Sequence, residues 1–205
     1  MIKTLIFDFG DVFINLDKSA TTAQISGLGL ENISEEMLAF NKRYEVGDLN
    51  TSSFLDYYKS LLPHVGTDEL AKVWNAIILD FPEHRLEFIE TLAIENQYQL
   101  ILLSNTNELH IEKVIENMGI DRYDRFKKSF EQFYLSHEIH LRKPNKDIYT
   151  FVLENNQLIA EECLFIDDTK ENTDAAKELG IHVWNHNPLK EDIVHLFTSN
   201  QHLFK

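Results

Sequence analysis

The chain has 205 residues, 43% of them hydrophobic and 26% charged, with only 7 Gly and 4 Pro. That length supports one sizeable core with an inserted subdomain, or two small domains, and the composition leaves little room for disordered linkers. The formal net charge of −15 argues against a nucleic-acid partner, whose phosphates need Lys and Arg. Small anionic substrates stay open, because a bound divalent cation can supply local positive charge.

The chain opens on a strand-like run, Leu5 to Phe7, that ends in Asp8 and is followed by Gly10. A carboxylate at the carboxyl end of a buried strand sits where α/β sheets bind ligands, although Asp and Gly also favour plain turns. From Asp17 to Phe81 the pattern changes to helical faces. Met37, Phe40 and Tyr44 form one. Phe54, Tyr57, Tyr58, Leu61 and Leu62 form a second, with Thr51 or Ser52 as N-cap and Pro63 as stop. Leu70, Val73, Trp74, Ile77 and Ile78 form a third, opened by Thr67-Asp68-Glu69. This is a small helical bundle inserted after the first strand. Its aromatic residues read first as its own core, with Phe40, Tyr44 and Tyr57 as alternatives for a surface facing the site.

Pro82 marks the return. A helix follows up to Glu95, then a buried strand over Tyr98–Leu103, a helix over Glu108–Met118 stopped by Gly119, and a weaker strand over Phe130–Leu135. A helix begins near Asn145, a strand covers Leu164–Ile166, and a helix over Thr173–Leu179 closes at Gly180. A strand over Ile181–Trp184 and a terminal helix around Ile193–Phe197 complete the chain. Strands alternating with helices predict a parallel sheet with right-handed crossovers. The lone Cys163, in an apolar run, reads as a buried strand thiol. No basic-then-apolar leader and no run of about 18 apolar residues appears, so the sequence reads as cytoplasmic, with no membrane partner.

Three strands end in polar clusters. Leu103 runs into Ser104-Asn105-Thr106-Asn107, which can cap a helix or let the Ser104 hydroxyl and the Asn105 backbone N–H bind an anion. Arg142-Lys143-Pro144 places a lysine on a proline-restricted backbone, able to neutralise a phosphate and a nucleophilic carboxylate together. Ile166 runs into Asp167-Asp168, with Asn172 beyond. Adjacent carboxylates in a crevice need a cation, and Asp8 with Asp168 suits Mg²⁺. The nine His are scattered; His110 and His137 are nearest the strand ends and read as surface residues.

The order strand-Asp, strand-Ser-Asn, Lys-Pro, strand-Asp-Asp resembles the haloacid dehalogenase-like (HAD) hydrolase superfamily, from Ile2 to about Trp184. Asp8-Phe9-Gly10-x-Val12, Leu103-Ser104-Asn105-Thr106-Asn107, Leu135-Ser136, Arg142-Lys143-Pro144 with Ile148-Tyr149, and Asp167-Asp168 with Asn172 resemble its bacterial sugar-phosphate phosphatase branch, which includes α-D-glucose-1-phosphate phosphatase. The resemblance implies an α/β Rossmann-like parallel core, residues 1–16 and 82–205, with a helical cap at 17–81. It implies an Mg²⁺-dependent phosphatase of a small phosphorylated metabolite, possibly a sugar phosphate. Asp8 would be the nucleophile and carry an aspartyl-phosphate. Ser104, Asn105 and Lys143 would bind the phosphoryl group, with Lys143 balancing charge against Asp8. Asp8, Asp168 and the Gly10 carbonyl would ligate the metal, with Asp167 assisting.

One position departs from the phosphatase pattern. Where a second Asp stands two residues after the nucleophile as general acid and base, this chain has Gly10. Asp11, water or the substrate would then deliver the proton. Two other readings compete. A 2-haloacid dehalogenase uses the same Asp, but its branch carries Tyr at the Gly10 position and has no need of a metal pair like Asp167-Asp168. A non-catalytic binding protein on this scaffold is favoured by Gly10 and opposed by Asp8, Lys143 and Asp168. Neither the substrate nor the oligomeric state is legible.

Overall fold

The structure, a computed structural model, describes residues 1–204. β1 (Thr4–Phe7) is followed by four helices, α1 (Ala20–Gly27), α2 (Glu35–Glu45), α3 (Thr51–Leu61) and α4 (Thr67–Asn75). Then come α5 (Glu83–Glu95), β2 (Gln99–Ser104), α6 (Glu108–Met118), α7 (Ile120–Lys128) and β3 (Gln132–Leu135). A short α8 (Ser136–Ile139) leads to α9 (Lys146–Asn155), β4 (Cys163–Asp167), α10 (Lys170–Lys177), β5 (His182–Asn185) and a final short α11 (Leu196–Ser199).

The strands form one parallel sheet in the order β3-β2-β1-β4-β5. This is the expected Rossmann-like α/β core. The central strand alternates its side chains between two apolar layers. Leu5 and Phe7 join α5, α6 and α7 in one cluster, and Ile6 joins α9 and α10 in the other. Because both faces are covered, every β1 residue is buried and the strand reads as a continuous apolar run. Cys163 is fully buried on β4, and burial raises its thiol to about 11, so it is an inert core residue.

The sheet order puts the functional end of the fold at β1. Connections from β1 lead to β2 on one side, while β4 returns to its other side. The carboxyl ends of strands flanking such a reversal form a crevice. Asp8 follows β1 there, and its backbone N–H donates to Ile166 O at 2.9 Å, extending the ladder beside β4.

The excursion from β1 leaves and returns through paired chain segments. Asn15 N donates to Asp80 O and Leu79 N to Asn15 O, at 2.9 and 3.1 Å, and Asp17 N donates to Ile77 O at 2.9 Å. Between them, α1 to α4 pack around their own apolar cluster, in which Tyr44, Phe54 and Tyr58 are buried. Tyr44 stacks on Phe54 with centroids 4.1 Å apart, and Phe40 on Tyr57 at 4.0 Å. These aromatics are spent on packing. One intruder from elsewhere joins them: Leu109 of α6 is buried in the same cluster.

Several boundaries differ from the sequence reading. α3 is capped by Asn50, whose side chain accepts from Ser53 N at 2.8 Å, one residue before the expected Thr51. Helices α1, α7 and α8 are additional to those the sequence pattern predicts. α7 carries Tyr123 and Phe126 inward amid six charged residues, which mask its apolar face. β3 starts at Gln132 because Phe130 N still closes a turn onto Lys127 O. Pro144 lies before α9, whose N-cap is Asn145. Among the described residues, no helix is long and apolar enough to cross a membrane.

Candidate active site

Asp8, Asp167 and Asp168 converge from the ends of β1 and β4, with carboxylate oxygens all within 4.8 Å of one another. Lys143 arrives from the loop before α9 and is fully buried. Its Nζ lies 2.8 Å from Asp8 Oδ1 and 2.7 Å from Asp167 Oδ2. Asp167, also fully buried, has both oxygens engaged. Oδ1 accepts from Thr169 N at 2.8 Å, and Asn172 Nδ2 reaches Oδ1 and Oδ2 at 3.1 and 3.0 Å. Asn172 sits in the first turn of α10, so the helix that follows β4 tethers the carboxylate that ends it.

The electrostatics follow from burial. Desolvation pushes Asp8 up to about 7; Lys143 pulls it back, while Asp167 and Asp168 push further. Burial alone would lower Lys143, but Asp167 and Asp8 outweigh it and hold the ammonium charged. The buried lysine meets two of the three carboxylates and the half-exposed Lys18 meets Asp168, which leaves an excess of negative charge that a hard divalent cation would relieve. The donors are all oxygens, which is the chemistry Mg²⁺ prefers. The residues present fit that ion.

At the rim, Lys18 pairs with Asp11 Oδ2 at 2.9 Å and also with Asp168 Oδ2. These contacts outweigh desolvation and raise its pKa. Asp11 also accepts from Leu16 N at 3.1 Å. Its carboxylate is therefore committed to its own loop and to Lys18.

Ser104 is the last residue of β2 and is buried beside Asn105. The Asn105 side chain clasps the lysine loop: Nδ2 donates to Lys143 O and Oδ1 accepts from Lys143 N, both at 2.9 Å. The strand-end pattern points only to the Asn105 backbone N–H; its side-chain partner, 38 residues away, carries no local signal. Ser136 makes a similar tie, accepting from Thr106 N at 2.9 Å and donating to Glu45 O at 2.7 Å. Arg142 Nε meets Glu45 Oε2 of α2 at 2.9 Å.

Two cavities meet here. One, about 490 Å³, has Asp8, Lys143 and Asp168 in its floor and Lys18, Lys42 and Arg142 around its rim. The other, about 270 Å³, lies under the inserted helices, walled by Ile14, Trp74, Ile77 and Ile78. Gly10, Leu16, Glu45 and Asn105 line both. His110 lines the second cavity, contrary to its reading as a surface residue. Its Nδ1 meets Asn107 Nδ2 at 3.1 Å and its Nε2 meets Trp74 O at 3.3 Å. Asn107 Oδ1 already accepts from His110 N, so Nδ1 is the acceptor and Nε2–H the donor. Burial lowers the imidazole to about 4, against the opposing bond to Trp74, so it is neutral.

A parallel core with an inserted helical unit and a strand-end carboxylate cluster braced by lysine defines a hydrolase architecture. The model of the haloacid dehalogenase-like hydrolase family matches residues 2–180, and the chain belongs to that family. D-ribitol-5-phosphate phosphatase of Bacteroides thetaiotaomicron is 26% identical over 186 residues, covering 88% of this chain and 89% of that protein. A HAD family enzyme from the same species, solved in complex with magnesium and inorganic phosphate, is 32% identical with a TM-score of 0.84, covering 96% of this chain and 100% of the other. The L-2-haloacid dehalogenase of Xanthobacter autotrophicus, solved with chloropropionic acid covalently bound, shares the fold, with a TM-score of 0.59 at 18% identity, covering 98% and 84%.

Proposed function

We propose that this protein is an Mg²⁺-dependent phosphatase of a small phosphorylated metabolite, a sugar or polyol phosphate, acting through an aspartyl-phosphate on Asp8. The observation that carries this reading is Lys143 Nζ lying between Asp8 and Asp167 at 2.8 and 2.7 Å, beside Asp168 at the end of the central strands. The relative named for D-ribitol 5-phosphate and the similar structure holding magnesium and phosphate support it. In this reading residues 17–81 are the cap, and residues 1–16 with 82–205 are the catalytic core.

Asp8, Asp168 and the Gly10 carbonyl would hold the cation, with Asp167 assisting; the ion supplies positive charge against which a phosphate dianion and a carboxylate can approach each other. Ser104 and the Asn105 backbone N–H bind the phosphoryl oxygens, and Lys143 neutralises one of them while keeping Asp8 in place. Asp8 attacks phosphorus; the ester P–O bond breaks, and its electron pair leaves with the alcohol oxygen. Water then attacks the phosphorus of the aspartyl-phosphate, releasing phosphate and restoring the carboxylate. With no side chain at Gly10 and Asp11 committed to Leu16 and Lys18, the leaving oxygen takes its proton from water or from the substrate.

The test is phosphate release from an aryl phosphate and a panel of sugar and polyol phosphates, with Mg²⁺, with EDTA, and with Asp8→Asn. Release that needs both the metal and Asp8 supports the reading. Tight binding of a sugar phosphate without Asp8-dependent release would favour the binding protein, and chloride release from a 2-haloacid without metal would favour the dehalogenase.

A further inference from the structure

The smaller cavity borders the larger one at Gly10, Leu16, Glu45 and Asn105. A Cβ at Gly10 would lie 2.8 Å from Leu16 Cδ1, so Leu16 packs directly over Gly10 where the two cavities border each other. In the smaller cavity the polar groups have fixed roles. Asn41 Oδ1 accepts from the Tyr58 hydroxyl at 2.7 Å, which sets the amide and leaves Nδ2 as the donor. The indole Nε1–H of Trp74 is buried with no partner among the described residues. Glu45 gives Oε2 to Arg142 and keeps Oε1 as an acceptor. His110 is neutral, and the lining described contains no Lys or Arg. The cations Lys18, Lys42 and Arg142 stand around the other cavity.

We propose that the leaving group of the phosphate ester lies in this second cavity, and that Asn41, Glu45 and Trp74 select an uncharged chain bearing hydroxyls and reject one bearing a carboxylate. The proposal rests on the phosphatase reading above. N–H donors meet hydroxyl oxygens and Glu45 accepts a hydroxyl proton. Ile14, Ile77 and Ile78 cover the carbon skeleton. A carboxylate would face Glu45, whose cation Arg142 is already engaged at Oε2 and stands on the other cavity, and like charges in close juxtaposition are strongly disfavoured. A site built to hydrogen-bond hydroxyls also penalises analogues that lack them.

The experiment compares kcat/KM for ribitol 5-phosphate, 3-phosphoglycerate and acetyl phosphate, whose acetyl group is too short to engage these residues. Wild type is expected to favour ribitol 5-phosphate over 3-phosphoglycerate by about 10²-fold or more. In Asn41→Leu and Trp74→Phe, the ratio of ribitol 5-phosphate to acetyl phosphate should fall about tenfold. In Glu45→Gln, the preference against 3-phosphoglycerate should shrink by a similar factor. If Trp74→Phe does not fold, Asn41→Leu on the half-buried face of α2 decides. Equal use of the two esters by wild type, or ratios unmoved in the folded variants, overturns the proposal while Asp8-dependent release from acetyl phosphate still upholds the phosphatase. No Asp8-dependent release from any of the three removes both.

Discussion

Asn105 and Lys143 hold each other through two hydrogen bonds of 2.9 Å, the amide of one closed on the backbone N–H and carbonyl of the other. The pairing fixes the loop from which Lys143 reaches Asp8. Asn105→Ala removes both bonds without touching the lysine side chain. Two neutral hydrogen bonds amount to about 1–3 kcal/mol of stability, and a displaced catalytic group can cost about 10²-fold in rate. The expected outcome is a modest drop in unfolding midpoint with a larger drop in kcat. Steady-state kinetics with urea unfolding on the same protein checks it; an unchanged kcat would show that the lysine loop is held by other contacts.

Asp167 is the buried carboxylate that Lys143 needs even without substrate. Asp167→Ala leaves the ammonium with Asp8 alone and strands Asn172. Removing one partner of a buried ion pair costs about 3–5 kcal/mol. Asn172→Ala removes only the amide that supports Asp167 and should cost about 1–2 kcal/mol. Urea midpoints of the two variants rank them. Equal losses would mean that the amide, and not the ion pair, holds this corner together.

The strand ends were legible because a parallel sheet writes its strands as apolar runs, and Asp8, Ser104 and Asp167 each stop one. What could not be read is who meets whom across the chain. Lys143 stood out only through its Pro and the family pattern. Glu45 and Lys18 gave no sign at all, because their partners Arg142 and Asp168 lie 97 and 150 residues away. His110 resembled any helical surface histidine; it is enclosed because Trp74 of α4 stacks against it, centroids 5.6 Å apart. Such pairings arise when the inserted helices dock, and no local periodicity encodes docking.

His110 gives the protein an acid-sensitive seam between the core and the inserted helices. Burial depresses its folded pKa from the usual 6.5 to about 4. Above pH 6.5 both folded and unfolded forms are neutral and the group contributes no pH dependence. As pH falls, the unfolded chain binds the proton first, so stability declines between 6.5 and 4, by about 3 kcal/mol in total from this one group. His137 and His186 are shifted in the same direction, also by burial. Their share stays in any His110 variant, so a difference measurement isolates His110. His110→Gln should lower stability at pH 7.5, through imperfect bonds to Asn107 and Trp74, yet flatten its fall on acidification by one proton. Urea unfolding at several pH values reads the slope, and an unchanged slope would place the imidazole in contact with water.

Gly10 stands where the related phosphatase pattern has a general acid, and Leu16 occupies the space that a side chain there would enter. The Cβ of Gly10→Asp would lie 2.8 Å from Leu16 Cδ1, at the mobile end of an aliphatic chain that must turn aside. Turned aside, Leu16 presses into one of the two cavities it lines. The single substitution should therefore gain little on alkyl phosphates, whereas Gly10→Asp with Leu16→Ala makes room for the carboxylate. General acid assistance typically contributes about 10²–10⁴-fold, so the double variant should hydrolyse an alkyl phosphate at least about 10²-fold faster than Leu16→Ala alone. An aryl phosphate, whose leaving oxygen is less basic, should change far less. Phosphate release at saturating Mg²⁺, with metal binding followed by calorimetry, makes the comparison. A double variant that binds the metal and yet treats the alkyl ester no faster would mean that proton delivery does not limit this enzyme.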